Sequence, residues 1–286
     1  MRRGTASLRK AAWLLVATLA SAAAPAAEEV PYVQTPQPVV DAMLKLAGVR
    51  GNDFVIDLGS GDGRIAITAA RRYGARGLGI DYVKSLVELA TANARKAGVA
   101  DRVTFVEGNI YDADYSAATV LAFYLLSDTN VELRPKMLAE LRPGARIVSH
   151  DGDMGDWEPD ATIVVPAPGK TVGVEEKSTV YLWIVPAQVT GEWRTTVPVG
   201  GRATDIELDI TQHFQALGGI ASVRGAMIGL ERAYVRGPFV FMRFPYAGGA
   251  LRFEGRVAAD RIVGKVTTPD GRTHPWRALR VRDNGD

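Results

Sequence analysis

The sequence contains no cysteine and only three histidines, His150, His213 and His274. The lack of cysteine excludes disulfide partners, thiolate zinc sites and cysteine nucleophiles. The three histidines lie far apart along the chain, which argues against a metal site built from them. We therefore predict no metal site.

Excess positive charge is confined to the N-terminus. Arg2, Arg3, Arg9 and Lys10 precede an apolar stretch at 11–23 and the small-residue sequence Ala24-Pro25-Ala26. This layout predicts a secretory signal peptide over residues 1–26 and export, with the protein in the periplasm. The alternative is an uncleaved helix that anchors the chain to the inner membrane, although the run is shorter than the roughly 20 residues that span a bilayer.

The rest of the chain lacks a strong charge of either sign. The formal net charge of +2 becomes −2 without residues 1–26, because that segment holds four basic residues and no acid. A near-neutral protein is not expected to hold nucleic acid by bulk charge. No later segment is long and apolar enough to predict a membrane span.

Apolar strands alternate with helical stretches from about residue 36 to 186. The pattern predicts helices at 36–48, 65–73, 84–97 and 130–141, and strands at 54–58, 76–80, 103–107, 119–125 and 145–149. Two further strands, ATIVVP and TVYLWIVP, follow with no helix between them. The strands do not alternate apolar and polar residues, which favours an α/β fold with a parallel sheet covered on both faces and a terminal hairpin at one edge.

The pattern of apolar and polar residues changes after Pro186. Short alternating runs such as TDIELDIT, FVFMRFP and RIVGKVT are broken by Gly, Asp and Pro. This pattern predicts a second, all-β domain at 190–286, an antiparallel meander or small barrel of about seven or eight strands. Its role is not indicated by any motif.

A glycine-rich turn follows the first strand. The sequence VIDLGSGDGR places the motif D-x-G-x-G-x-G at Asp57, Gly59, Ser60, Gly61, Asp62 and Gly63. The third glycine comes too early for the dinucleotide fingerprint, and no lysine follows as a phosphate-binding loop requires. The motif resembles the first motif of class I S-adenosylmethionine-dependent methyltransferases, and two acids suit a cofactor that carries an ammonium and a sulfonium.

Polar residues also end the next two strands. Asp81 lies 24 residues after Asp57, where its carboxylate can accept hydrogen bonds from both ribose hydroxyls. Asn109 and Ile110 follow the third strand. The resemblance, which covers about residues 30–186, implies a Rossmann-like seven-stranded sheet, Asp57 facing the methionine ammonium, Asn109 beside the adenine and Ile110 covering that ring.

A closer resemblance rests on four segments in order: PYVQTP (31–36), DLGSGDGR (57–64), FYLL (123–126) and LRPGARIVSHD (141–151). They look like a family of small lysine N-methyltransferases that modify membrane proteins of the mitochondrial inner membrane. The family prefers proline at position 34, which is glutamine here, and often has Glu at position 81. The resemblance implies a protein-lysine acceptor, possible association of that acceptor with a membrane, and Tyr32, Thr35 and Tyr124 near the transferred methyl group.

Alternatives remain for the function and for individual residues. The chain is alternatively a methyltransferase of a small molecule, or an exported, non-catalytic binding protein with a relic first domain. Thr35 alternatively caps the helix at Pro36, and Tyr124 is alternatively a core tyrosine. Trp157 walls an acceptor channel or belongs to the core.

Overall fold

The computed structural model describes residues 32–173 and 175–281. The chain forms two compact units, Met1–Tyr32 and Val33–Asp286, and Tyr32 is the described residue of the first. The predicted signal peptide, residues 1–26, lies outside the described residues.

The first part of Val33–Asp286 is a seven-stranded sheet with helices. Its elements are α1 (Gln37–Leu46), β1 (Phe54–Leu58), α2 (Arg64–Tyr73), β2 (Arg76–Asp81), α3 (Lys84–Lys96), β3 (Val103–Glu107), β4 (Val120–Phe123), α4 (Ser127–Glu140), β5 (Arg146–His150), β6 (Ala161–Pro166) and β7 (Lys177–Ile184). The strand order is β3-β2-β1-β4-β5-β7-β6. Strands β1 to β5 are parallel, and the β6–β7 hairpin joins β5 in antiparallel fashion, which confirms the predicted fold class.

Apolar stripes bury the helices against the sheet. Helix α1 buries Val39, Val40, Met43 and Leu44, the face that the i, i+3, i+4 spacing predicts. Helix α2 begins directly after Gly63, the last glycine of the turn and the residue at its N-cap, and its alanine face packs closely on the sheet. The helix therefore fixes the turn at the carboxyl end of β1.

The second part is a closed antiparallel barrel. Its strands are β8 (Gly191–Val199), β9 (Arg202–His213), β10 (Ala216–Val223), β11 (Ala226–Gly229), β12 (Arg232–Arg236), β13 (Phe239–Tyr246), β14 (Gly249–Ala258), β15 (Arg261–Thr267) and β16 (Thr273–Arg280). Pairing of β9 with β10 closes a ring of eight strands, and β11 lies beside β10. Alternate inward side chains fill its core.

The sheet and the barrel share a packed contact. Trp157 is buried, stacks on Phe214 with ring centroids 5.4 Å apart, and donates from Nε1 to Gln215 Oε1 at 2.8 Å. Trp157 therefore belongs to the core, the second of its two predicted roles. The barrel also approaches Gly144, immediately before β5: a Cβ on Gly237 would lie 3.1 Å from Gly144 Cα. This contact lies at the amino ends of the parallel strands.

The structure differs from the sequence prediction at α4, at β4 and in the barrel. Helix α4 begins at Ser127, three residues before its predicted start. Strand β4 ends at Phe123, two residues before the predicted end, so Tyr124 and Leu125 lie in the following loop. Strands β11 and β12 were missed, because β11 is only four residues long and largely exposed, while β12 carries arginine at both ends. Neither gives a clear run of alternating apolar residues.

Candidate functional site

The glycine turn lies at the carboxyl end of β1. Gly59, Gly61 and Gly63 have φ angles of 67°, 54° and 80°, in the left-handed region that favours glycine. The Gly59 and Ser60 N–H groups donate to Ile80 O at 2.9 and 3.0 Å, so the turn is held against β2. Bare backbone therefore borders the strand ends, where open α/β sheets bind ligands.

Asp57 is a buried carboxylate with an unsatisfied oxygen. Its Oδ2 has no hydrogen-bond partner among the described residues, and neither does the buried hydroxyl of Ser60 in the turn. Burial raises the pKa of Asp57 well above its usual range, and the nearby charges of Asp62 and Asp81 raise it further. Clustered acids with an orphaned oxygen are an arrangement that a cation stabilises.

Asp81 ends β2 and holds the turn in place. Its Oδ2 accepts from the Gly61 N–H at 2.8 Å, and its Oδ1 accepts from the Val83 N–H at 3.0 Å. A carboxylate offers about four acceptor positions, so each oxygen keeps one for a second donor such as a ribose hydroxyl. The predicted ribose role stays a prediction, and this geometry fits it.

Asp62 makes an intramolecular ion pair. Its carboxylate accepts from Arg64 Nε at 2.9 Å, and Arg64 Nη1 donates to the Thr35 carbonyl at 2.7 Å. Arg64 thereby joins the glycine turn to the segment that precedes α1. The structure assigns Asp62 to this bridge, while its predicted contact with the cofactor stays a prediction.

The amide of Asn109 stabilises its own turn. Its Oδ1 accepts from the Tyr111 N–H at 3.0 Å, and its Nδ2 donates to Asp112 Oδ2 at 3.1 Å. Ile110 is partly buried against the core beneath the sheet, and its carbonyl accepts from the Tyr115 hydroxyl. The predicted positions of Asn109 and Ile110 around an adenine stay predictions.

His150 connects the residues predicted near the acceptor. This fully buried residue ends β5, with Nδ1 lying 3.2 Å from Thr35 Oγ1 and Nε2 lying 2.7 Å from Ser178 Oγ. Its ring lies 3.8 Å from the Tyr124 ring, centroid to centroid. Burial lowers the pKa of His150 to about 4, against an opposing effect of Asp151, so the ring is neutral at pH 7.

Thr35 and Tyr124 both contact this histidine. Thr35 is buried and bonds to His150, and α1 has no side-chain cap, so the prediction that Thr35 only caps the helix is wrong. Tyr124 is half-buried, and its pKa is raised by desolvation and by the charge of Asp151. Leu125 follows it and borders the glycine turn, since a Cβ on Gly59 would lie 3.2 Å from Leu125 Cδ2.

Tyr32 belongs to the other compact unit and is 43% exposed. Its predicted position near the methyl group stays a prediction. Sequence reasoning assigned no role to His150 or Ser178, although His150 directly follows the strand predicted at 145–149 and lies within the segment LRPGARIVSHD that carries the family resemblance.

The residues at the strand ends fit S-adenosylmethionine. Its ammonium and sulfonium complement the acidic cluster around the orphaned Asp57 oxygen, and the positive φ angles of the glycines give a turn without side chains, whose backbone a ligand can approach closely. A seven-stranded sheet of this order, with an acidic glycine turn after β1 and an acid as the last residue of β2, defines a class I S-adenosylmethionine-dependent methyltransferase.

Comparison with known proteins identifies the family. Residues 57–161 match the model of the ANTKMT methyltransferase domain. A protein-lysine N-methyltransferase of Saccharolobus islandicus is 41% identical over 157 residues, which are 54% of this chain and 94% of the relative. The chain therefore belongs to the ANTKMT methyltransferase family, and it is an S-adenosylmethionine-dependent methyltransferase.

Two further relatives differ in what they modify. The adenine nucleotide translocase lysine N-methyltransferase of Mus musculus is 33% identical, and the match covers 47% of this chain and 58% of that protein. A Salinibacter ruber protein described as an RNA methyltransferase, solved with S-adenosyl-L-homocysteine, is 50% identical with a TM-score of 0.50. That match covers 55% of this chain and 96% of the Salinibacter chain.

Proposed function

We propose that this methyltransferase transfers the methyl group to the side-chain amine of a protein lysine. The observation that carries the proposal is the aromatic surface beside the glycine turn, where the half-buried Tyr124 ring lies on the neutral His150 ring. Such a surface desolvates an entering amine and favours its neutral form. The Saccharolobus relative, named as a protein-lysine N-methyltransferase, supports the same acceptor.

The reaction requires little covalent participation by the protein. A free lysine has a pKa near 10.4, so the amine loses its proton to solvent before it attacks. The cofactor, when bound, supplies the electrophilic methyl group. Tyr124, Thr35 and His150 would desolvate the amine and align it, and alignment alone can supply a large part of the acceleration. We therefore assign no single catalytic base.

RNA is the second candidate acceptor, favoured by the 50% identity to the Salinibacter protein. The near-neutral charge beyond residue 26 speaks against it, since RNA binding relies on clusters of basic residues. A small-molecule acceptor is the third candidate.

We further propose that the acceptor is associated with a membrane. Tyr82, Tyr111 and Leu126 follow β2, β3 and β4 and are 55%, 43% and 69% exposed. They make an apolar rim at the edge of the sheet that carries the acidic strand ends, and a rim of this kind suits an apolar partner. Within the described part of the chain, none of the helices has the length and hydrophobicity that crossing a bilayer requires.

We propose that the protein is exported and acts in the periplasm. The support is residues 1–26, which begin with basic residues and continue with an apolar stretch. Anchoring to the inner membrane is the alternative. A reporter enzyme that is active only outside the cytoplasm, fused to the C-terminus, tests this proposal. An inactive reporter would contradict export.

Calorimetry tests cofactor binding. We expect heat on titration with S-adenosylmethionine and with S-adenosyl-L-homocysteine, and about a 10- to 100-fold weaker affinity in Asp81→Asn, because a charge-assisted hydrogen bond is lost. Asp101→Asn changes an exposed acid just before β3 and serves as the matched control. Equal affinity of Asp81→Asn and the control would contradict the predicted ribose contact of Asp81.

Transfer of a labelled methyl group identifies the acceptor. Membrane and soluble extracts are incubated with the protein and labelled cofactor, then treated with protease or ribonuclease. Label that protease releases, and that peptide mapping places on lysine, supports the proposal. Label that ribonuclease releases, or that stays with small molecules, rejects the lysine acceptor, and label only in the soluble fraction rejects the membrane-associated acceptor.

A further inference from the structure

A lysine of this chain lies at the acceptor end of the site. The Lys170 side chain is only 12% exposed, and its ammonium Nζ lies 2.7 Å from Asp151 Oδ2. It also donates to the Lys177 carbonyl at 2.7 Å. Lysine is rarely buried to this degree unless its charge is paired, so Asp151 is what holds it there.

The carboxylate of Asp151 is fixed by backbone. Asp151 follows β5 directly and has a φ of 56°, a left-handed conformation that aspartate and asparagine adopt more readily than most residues. Its Oδ1 accepts from the Thr179 N–H at 2.7 Å, and its own N–H donates to the Thr179 carbonyl at 2.8 Å. The other oxygen of Asp151, Oδ2, is the one that pairs with the Lys170 ammonium.

Asp151 lies among the residues already assigned to the acceptor. Its Oδ2 is 3.3 Å from His150 Nε2, and the His150 ring packs against the Tyr124 ring. Lys170 reaches this edge because β7 runs antiparallel to β5, so that the connection from Pro166 to Lys177 returns to the carboxyl end of β5. The internal ammonium thus lies beside the His150 and Tyr124 pair, the residues to which the acceptor was assigned above.

We propose that Asp151 is the specificity residue that binds the ammonium of the acceptor lysine, and that Lys170 occupies this position until the acceptor displaces it. The proposal rests on the lysine acceptor proposed above. It makes Asp151 the group that selects a cationic amine over an uncharged molecule. The bound ammonium would lose its proton to water as it moves onto the aromatic surface of Tyr124.

The test uses n-butylammonium, which has the four-carbon stem and the charge of a lysine side chain. Calorimetric titrations compare the wild-type protein with Lys170→Ala, with the double variant Lys170→Ala/Asp151→Asn, and with Lys177→Ala. Lys177 lies on the same hairpin but is 65% exposed and pairs with Glu175 rather than Asp151. Asparagine keeps an oxygen for the Thr179 N–H and tolerates the φ of Asp151, so the double variant is expected to fold.

We expect Lys170→Ala to bind n-butylammonium about tenfold tighter than the wild-type protein, because the vacated carboxylate regains a charged hydrogen-bond partner. Lys177→Ala should behave like the wild type, the double variant should lose the gain, and n-butanol should bind to none. Thermal unfolding of each variant verifies its fold. Equal binding by Lys170→Ala and the wild type, or a gain that survives Asp151→Asn, overturns the proposal.

This test is independent of methyl transfer. Label recovered on RNA would reject the lysine acceptor whatever n-butylammonium does, and absence of n-butylammonium binding would reject the role of Asp151 even if lysine is methylated.

Discussion

A hydrogen bond of 3.2 Å joins Thr35 to His150, although 115 residues separate them in the sequence. Thr35 lies in the segment before α1 and His150 at the end of β5, so the bond links the start of the fold to the middle of its sheet. The neutral imidazole has one donor and one acceptor nitrogen, and the Thr35 and Ser178 hydroxyls can complement either tautomer. Both ring nitrogens therefore have a partner in either tautomer, and burial of the ring is what disfavours its charged form.

Protonation of His150 should destabilise the protein in acid. Its pKa is lowered by burial from 6.5 to about 4. Between these values the unfolded chain binds more protons than the folded one, so the contribution is fully present above pH 6.5 and is lost as the pH falls towards 4, up to ~3 kcal/mol. Urea unfolding of the wild type and His150→Gln from pH 4.5 to 8 measures it.

The variant should show a flatter dependence of the unfolding free energy on pH, whatever its stability at pH 8. His274→Gln, in the barrel, is the control and should keep the wild-type slope. Parallel curves for the wild type and His150→Gln would contradict the assignment.

Tyr124 should affect the rate without being essential. Tyr124→Phe keeps the ring on His150 and should lower kcat less than about tenfold, whereas Tyr124→Ala removes the stacked surface and should lower it about 10- to 100-fold through poorer alignment. Initial rates of label transfer measure both, with Tyr234→Ala on the barrel surface as the control. Loss of all activity in Tyr124→Phe would show that the hydroxyl itself is required.

Gly79 should tolerate no side chain. A Cβ at this position would lie 2.3 Å from Phe105 Cδ1 and 2.8 Å from Ser60 Cβ, in the floor of the glycine turn. Gly79→Ala should cost about 1–3 kcal/mol through overpacking and weaken cofactor binding. Gly108→Ala is the matched control, because its Cβ would make an ordinary 3.5 Å contact with Ile80.

Chemical denaturation and calorimetry measure the two effects. Adding Phe105→Leu to Gly79→Ala should restore part of the loss, since it removes the ring in the way. A double variant no better than Gly79→Ala would mean that the backbone, rather than Phe105, limits this position.

Trp157 should couple the sheet to the barrel. Trp157→Phe keeps a ring against Phe214 but loses the bond to Gln215, at a cost of about 1 kcal/mol, whereas Trp157→Ala opens a cavity and should cost about 3–5 kcal/mol. Scanning calorimetry should show one transition for the wild type and two for Trp157→Ala. A single transition in both would mean that other contacts suffice for coupling.

The sequence predicted those parts of the fold and the site that depend on local residue patterns. The strand that contains Asp57, the alternating glycines and Asp81 are encoded within a few residues each, and the acids do lie together at one edge. His150 could not be assigned, because its role comes from Thr35 and Ser178, which only the fold brings near it. For Asn109 the missing information was local. Its amide makes hydrogen bonds within its own turn, and the sequence motif gave no sign of these bonds.

The barrel contacts the sheet through Gly144, Asp160 and Trp157, and Arg236 of the barrel lies 3.3 Å from Asp160. Five-residue strands such as β5 put about 17 Å between this end of the sheet and the end that bears Asp57 and Asp81. The barrel is thus attached on the side of the sheet that lies away from the strand ends bearing Asp57 and Asp81.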